Sequence, residues 1–466
     1  MDLERLFFAR SVAVVGASPR VGDGGKAPFF QILKAAGYQG KVFPVNPAHQ
    51  EINGVRVYAS LAEVPEAVDL VIAAVPARLA LETVKIAAAR RIPFVHFFTS
   101  GFSEVGNREL EEELVAAARE GGTRIVGPNC LGVHCAESRL TFDNTVLTER
   151  PGNIAFLGQS GGITNNFMRR AYSRKLELNK VVSYGNQIDL RVEDFIGYFG
   201  RDDGIRVIAV YLEDVKDPHA FFATLKEAAA KKPVIVLKGG STPGGARAAA
   251  SHTGAMAGDQ QLFSALLRQH RAIEVEDDEQ LLNFTMMAAA ERRPAGTRLG
   301  FLGAGGGTSV LFTDLAGKAG LSLPVLADST RASIAAKIPA VNTSTTNPVD
   351  LGAFGFDSRI MSHTMRAMEP DPNIDVIVPY FGLDFLAWFP DDALGAGFTA
   401  IAQAAREISK PVVPIVYKSY ENKDRLEQIR MIALDAFRGA GLPVFFGLAD
   451  AVGALAGVER WRRRTA

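Results

Sequence analysis

The chain has 466 residues, 47% of them hydrophobic and 22% charged, with 51 Lys+Arg against 51 Asp+Glu. That length predicts about three domains of ordinary size with substantial cores. The balanced charge excludes the basic excess that nucleic-acid or acidic-membrane partners require.

The N-terminus, MDLERLFFAR, carries early acids and no long apolar run, so no secretory signal is expected there. No stretch reaches the roughly 20 apolar residues of a membrane span. The two cysteines, Cys130 and Cys135, are separated by four residues with no zinc-like spacing. A cytoplasmic, reducing setting is the expectation.

Continuous apolar runs then alternate with helix-like segments. SVAVVGAS, GKVFPVNP, VDLVIAAVPA, IPFVHFFTSGF and TRIVGPNC read as buried parallel strands. Segments such as LALETVKIAAARR and NRELEEELVAAAREG lie between them as helices. This predicts an α/β doubly wound sheet over residues 1–130. AESRLTFDNTVLTERPG breaks the pattern, and a second unit is expected over 151–290, with strands NIAFLGQSGG, NKVVSYGNQ, IRVIAVYLED and KPVIVLKGG. AAAERRPAGTR (288–298) is the next break. A third unit, 297–466, opens with LGFLGAGGGTSVL and continues through DVIVPYFG, KPVVPIVYKS and LPVFFGL.

Each unit begins with a strand, a small-residue turn and a helix: VVGASPRVG, FLGQSGGIT and FLGAGGGTS. Such turns leave backbone N–H groups free for an anion, although any one of them can equally be a tight packing corner. The first turn is a poor NAD fingerprint. Gly16 is followed by Ala17 and Ser18, and the second strand ends at Asn46 and Pro47 where a ribose-binding acid belongs. A phosphate-bearing nucleotide fits better, with Lys26 as a candidate contact or a plain surface lysine. Cys130, in VGPNCLGV, is either a reactive thiol or, more in keeping with its surroundings, a small buried residue near a ligand. His134 lies on the wrong side of a short turn to serve it as a base.

KGGSTPGGARAAASHTGAMAGD (238–259) carries six glycines and one histidine, His252. Its composition predicts a mobile loop. A histidine so lightly hemmed in suits a phosphoryl carrier that visits two places. Such a carrier needs a carboxylate on its other ring nitrogen and an anion cradle. Glu213, at the end of IRVIAVYLED, and the turn Gln159, Ser160, Gly161 and Gly162 are the candidates.

With these residues in view, the chain resembles the α subunits of the NDP-forming acyl-CoA synthetases, the ADP-forming acetyl-CoA synthetase type, relatives of succinyl-CoA ligase. VVGAS, FPVNP, FTSGFSE and GPNCLGV resemble the CoA-binding domain; GNIAFLGQSGG, SYGNQIDLRVEDF and YLEDVKD resemble the ligase flavodoxin-like domain; SHTGAMAGD resembles the phosphohistidine loop. GAGGGTS and NPVDLGAFG are similar to the extra domain of the ADP-forming branch. The resemblance implies a Rossmann-like CoA-binding domain followed by two flavodoxin-like domains. It implies His252 as the phosphorylated residue, Glu213 as its partner, and coenzyme A near Gly16, Ala17, Ser18, Lys26, Asn46, Pro47, Thr99, Ser100, Gly101, Asn129 and Cys130. No ATP-grasp module is visible, so ATP/ADP and Mg²⁺ are expected on a separate β subunit. ITNNFMRRA departs from the small apolar residues usual after the phosphate turn, which leaves the acid open at Asn165 and Asn166. A non-catalytic CoA-binding protein and a nicotinamide oxidoreductase are the alternatives, the first disfavoured by the intact His252 segment and the second by the missing acid.

Overall fold

Apolar strands buried on both faces need helices above and below them, and the chain supplies these in order. The computed structural model describes residues 3–19, 28–147, 150–253, 260–419 and 423–465, with backbone alone at 250–253. It divides into two compact units, Met1–Asp278 and Glu279–Ala466. No described helix is long and apolar enough to cross a membrane.

The first unit holds two main sheets. Strands β1 (Ser11–Val15), β2 (Lys41–Val45), a small antiparallel pair β3 (Glu51–Ile52) and β4 (Val55–Arg56), then β5 (Leu70–Ala73), β6 (Phe94–Phe97) and β7 (Arg124–Val126) follow in sequence. The first main sheet runs β2-β1-β5-β6-β7, all parallel. The five apolar runs are thus its five strands. β5 and β6 are buried at every position, which is why their sequences do not alternate.

The chain then reverses over 127–132, where Gly127, Asn129 and Gly132 all have positive φ. It enters the second sheet as an antiparallel edge strand, β8 (Gly132–Cys135). β9 (Ile154–Gly158), β10 (Leu178–Ser183), β11 (Val207–Leu212), β12 (Val234–Lys238) and β13 (Ile273–Val275) complete it in the order β13-β12-β11-β9-β10-β8. β8 and β13 are too short to stand out from flanking residues, and the sequence reading missed both.

Residues 185–190 bind the two sheets together. Ile188 N and Leu190 N donate to Gly127 O and Ile125 O, at 3.1 Å each. Asp189 takes a bidentate bond from Arg124 (2.8 and 3.0 Å) and one from Ile125 N (2.9 Å). Gly185 has φ +52, and a Cβ there would stand 2.1 Å from Pro128 O, so only glycine permits this approach.

The second unit has a four-stranded parallel sheet of β14 (Leu299–Gly303), β15 (Val349–Asp350), β16 (Val376–Gly382) and β17 (Ile415–Tyr417), ordered β15-β14-β16-β17. Phe284, on the helix Asp278–Ala289, packs against Gly453 and Gly457 of the helix Leu448–Thr465. Two expected strands shrink. KPVVPIVYKS pairs as a strand only over 415–417, because Pro411 and Pro414 lack the N–H a ladder needs. LPVFFGL contributes a single bridge, Phe445 to Ile415.

Candidate active site

β1 lies between β2 and β5, so the first sheet changes direction there and its ligand crevice falls at the strand ends. Gly16 has φ +89, and a Cβ on it would come within 2.4 Å of Ala74 O. Asn46 Nδ2 donates to Ala17 O (2.7 Å), and Asn46 Oδ1 accepts from Ala48 N (2.9 Å). Asn46 therefore ties the end of β2 to the first turn, where a dinucleotide site would carry a free carboxylate. Ser18 O accepts from Gln31 Nε2 at 2.6 Å. Pro47 and Ser100 are exposed. Lys26 lies outside the described residues.

Across the crevice, Thr99 bonds Val75 O and accepts Asn129 N at 2.8 Å. Gly101, with φ +111, donates to Glu104. Burial works against the charge on Glu104, but Asn186 and the N–H groups of Gly101 and Phe102 hold its carboxyl below the usual range. Cys130 is buried with Sγ 3.7 Å from Phe97 O, and burial pushes its thiol well up. It is a packing residue rather than a nucleophile. Its histidine neighbour is His96, whose Nε2 meets Cys130 O at 3.0 Å, and not the thiol. The residues present suit a ligand held by backbone and phosphate contacts: the glycine brings the chain close, and no carboxylate at Asn46 would grip a ribose diol.

Burial also brings the imidazoles of His96 and His134 down to about 4, against about 6.5 in an unfolded chain. The unfolded chain therefore binds protons that the folded one refuses. Their stabilisation is full above pH 6.5 and is lost as the pH falls toward 4. By pH 5 each is expected to remove roughly 2 kcal/mol. Urea midpoints at about pH 7.5 and pH 5 check this, and the drop should shrink in His96→Gln.

In the second sheet Glu213 follows β11 and is 7% exposed. Tyr211, two residues earlier on the same strand face, donates from its hydroxyl to Glu213 Oε1 at 3.1 Å. Lys238 Nζ donates to Glu213 O and Gly239 O, each at 2.6 Å. Burial lowers the Lys238 ammonium from its ordinary value, opposed by Asp214 and Glu213. A cavity of about 740 Å³ opens beside these groups, lined among others by Ser103, Asn186, Glu213, Lys238, Ala246 and Ala249.

Ala246 and Ala249 belong to the helix Pro243–Thr253, which also carries the backbone of His252. This corrects the expected loop over that part of the segment. Thr242 starts the helix, with Oγ1 accepting Gly245 N (3.1 Å) and its carbonyl accepting Ala246 N (2.7 Å). Pro243 sits in the first turn, and the alanine-rich run after it has high helix propensity. The side chain of His252, like residues 254–259 of the motif, lies outside the described residues.

The turn after β9 separates its four candidates. Ser160 is the N-cap of the helix Gly161–Ser173, with no side-chain cap bond, and Gly162 is exposed. Ser160, Gly161 and Gly162 thus form an anion-type helix start. Gln159 does not join them as a phosphate ligand, because its groups are taken up inside the protein: its N–H donates to Tyr211 O (3.1 Å), and its carboxamide engages Glu213 and Asp214. Asn165 buries an Oδ1 that has no partner, whereas Asn166 is exposed.

Sequence reading passed over Asn186. It is 3% exposed, and its Nδ2 bridges Glu104 Oε2 (2.7 Å) and Glu111 Oε1 (2.9 Å). It joins the FTSGFSE turn to the second sheet. The signal was the run of polar residues in SYGNQIDL just after a buried strand.

With this geometry established, comparison with known proteins is informative. Residues 10–136 match the model of a CoA binding domain, and residues 151–288 that of a succinyl-CoA ligase like flavodoxin domain. The chain is 32% identical to the α subunit of acetate–CoA ligase [ADP-forming] II of Pyrococcus furiosus, over 91% of this chain and 93% of that one. It is also 32% identical to acetate–CoA ligase [ADP-forming] I of Archaeoglobus fulgidus, covering all of this chain but 64% of that longer relative. Its fold matches a dinucleotide-forming acetyl-coenzyme A synthetase 1 of Ca. Korarchaeum cryptofilum, solved with phosphate and ADP, with TM-score 0.87 and 30% identity over 100% of this chain and 97% of that one. A CoA-binding-domain match, a ligase flavodoxin sheet and an α-subunit relative matched over nearly its whole length agree, and the chain belongs to the α subunits of the ADP-forming acyl-CoA synthetases.

Proposed function

We propose that the chain interconverts acyl-CoA, ADP and phosphate with a carboxylic acid, ATP and CoA, as the α half of a two-part enzyme. Phosphate attacks the thioester carbonyl, CoA leaves as the thiol, and an acyl phosphate forms. The neutral imidazole of His252 then attacks phosphorus, the carboxylate departs, and the phosphoryl group stays on nitrogen. ADP finally takes it, and ATP leaves. Positioning and charge stabilisation carry most of this chemistry.

The observation that carries the reading is that one cavity is lined both by Glu213 and by the helix that bears His252. Glu213 is assigned as the carboxylate that orients the imidazole. Ser160, Gly161 and Gly162 are assigned as the phosphate cradle. Gly16, Ala17, Ser18, Lys26, Asn46, Pro47, Thr99, Ser100, Gly101, Asn129 and Cys130 are assigned to the CoA crevice, Cys130 as a packing neighbour. Functionally we keep three domains, 1–130, 151–290 and 297–466. ADP and Mg²⁺ are assigned to an ATP-grasp β subunit.

Two measurements test this. CoA is expected to raise the melting temperature of the chain, and NAD⁺ at equal concentration is not. A shift with NAD⁺ and none with CoA overturns the nucleotide assignment. The purified chain alone is expected to show no acid-dependent ATP consumption, and adding the partner should restore it across a panel of acids. Robust turnover by the single chain overturns the two-part reading.

A further inference from the structure

Gln159, the first residue after β9, is built for a different task from its neighbours. Gln159 Oε1 accepts from Glu213 N at 2.7 Å and from Asp214 N at 3.1 Å. Its Nε2 donates to Asp214 Oδ1 at 2.5 Å. One carboxamide thus caps both consecutive N–H groups of the turn that presents Glu213, and at the same time holds the adjoining carboxylate. Asp214 is fixed from two further sides, by Gln187 Nε2 on Oδ1 (2.9 Å) and Lys216 Nζ on Oδ2 (2.8 Å). Gln159, Gln187, Glu213 and Asp214 are all at most 9% exposed. Gln187 adopts φ +48 and leaves Oε1 buried without a partner, so this arrangement is held against local cost.

The amide orientation follows from the partners. Two backbone N–H groups require the oxygen on one side, and a carboxylate requires the NH₂ on the other. An apolar residue of equal size would strand two donors and part of a carboxylate together. A glutamate would set two carboxylates against each other.

We infer that Gln159 is a positioning residue that clamps the Glu213–Asp214 turn and so fixes the Glu213 carboxylate, with Asp214 and Gln187 holding the clamp in register. The inference rests on the assignment of Glu213 as the partner of His252, and its test separates the two.

The complete enzyme, chain plus partner, is compared as wild type, Gln159→Leu, Gln187→Asn and Glu213→Gln. Gln187→Asn keeps a residue tolerant of positive φ but is too short to reach Asp214, so it loosens the clamp without emptying it. Three readings are taken: amide exchange in peptides covering 211–216, the rate of labelling of the chain by ³²P-phosphate with acyl-CoA, and the KM for CoA. Gln159→Leu is expected to speed exchange at 213–214 by about tenfold or more. It should slow labelling by roughly 10²-fold at unchanged KM for CoA, the scale of an ångström-level misplacement. Gln187→Asn should fall between it and wild type. Full labelling in Gln159→Leu while Glu213→Gln loses it overturns the clamp. If both keep labelling, the role of Glu213 fails, and the clamp is decided by exchange alone: faster exchange sustains it and unchanged exchange overturns it.

Discussion

His252→Ala is expected to abolish phosphorylation of the chain and overall turnover together, while CoA binding stays near normal. The label should come from either direction, from ATP labelled at the γ position with partner, or from acyl-CoA with ³²P-phosphate. It should be lost in acid and kept in base, because a P–N bond hydrolyses once its nitrogen is protonated. An acyl phosphate on Glu213 would instead be lost in base. CoA affinity should survive because the crevice around Gly16 is built from the strand ends of the first sheet, whereas His252 follows β12 of the second. Melting temperature should also move little: the helix Pro243–Thr253 is capped by Thr242 and carried by alanines, and replacing one histidine with alanine raises its propensity. A His252→Ala enzyme that keeps full activity would remove the carrier from the mechanism, and a label stable in acid would move it to another residue type.

The strands were legible because burial on both faces leaves only one sequence solution, a short continuous apolar run. That is why SVAVV, LVIA and VIAVYL were readable while GVHC was not. GVHC is a four-residue edge strand, and its identity comes from pairing with β10 across a distant stretch of chain. The His252 segment misled in the other direction. Six glycines in 22 residues suggest a loop, yet four of the six precede Ala246, and the threonine–proline start with its alanine run forms a helix. Composition averaged over the segment hid that asymmetry. Glu213 was legible as a carboxylate at the end of a parallel strand, a position where ligands gather. What holds it was not. Gln159 stands beside three small residues that look like an anion cradle, and only the fold reveals that its side chain turns back toward residues 213 and 214, more than fifty positions away.

Glu213→Gln is expected to lower phosphohistidine formation by roughly 10²- to 10⁴-fold, the range seen when an orienting carboxylate is lost from an imidazole. The substitution keeps size and keeps an oxygen for the Tyr211 hydroxyl, whose bond to Glu213 Oε1 is 3.1 Å. It also leaves the backbone of residue 213 free to hold Gln159 and Lys238 as before. Fold, cavity and CoA crevice should therefore persist, and the loss should appear in the labelling rate rather than in melting temperature or CoA affinity. What is removed is charge. A carboxylate stabilises the imidazolium-like nitrogen that develops as phosphorus is attacked, and an amide cannot. The amide can also present its NH₂ to the ring and select the wrong tautomer. Glu213→Asp offers a sharper contrast: it retains the charge but withdraws it by one methylene, so it should recover part of the rate that Glu213→Gln loses. A Glu213→Asp rate no better than that of Glu213→Gln would mean that reach, not charge, sets the step. A Glu213→Gln enzyme labelled at the wild-type rate would exclude Glu213 as the partner of His252.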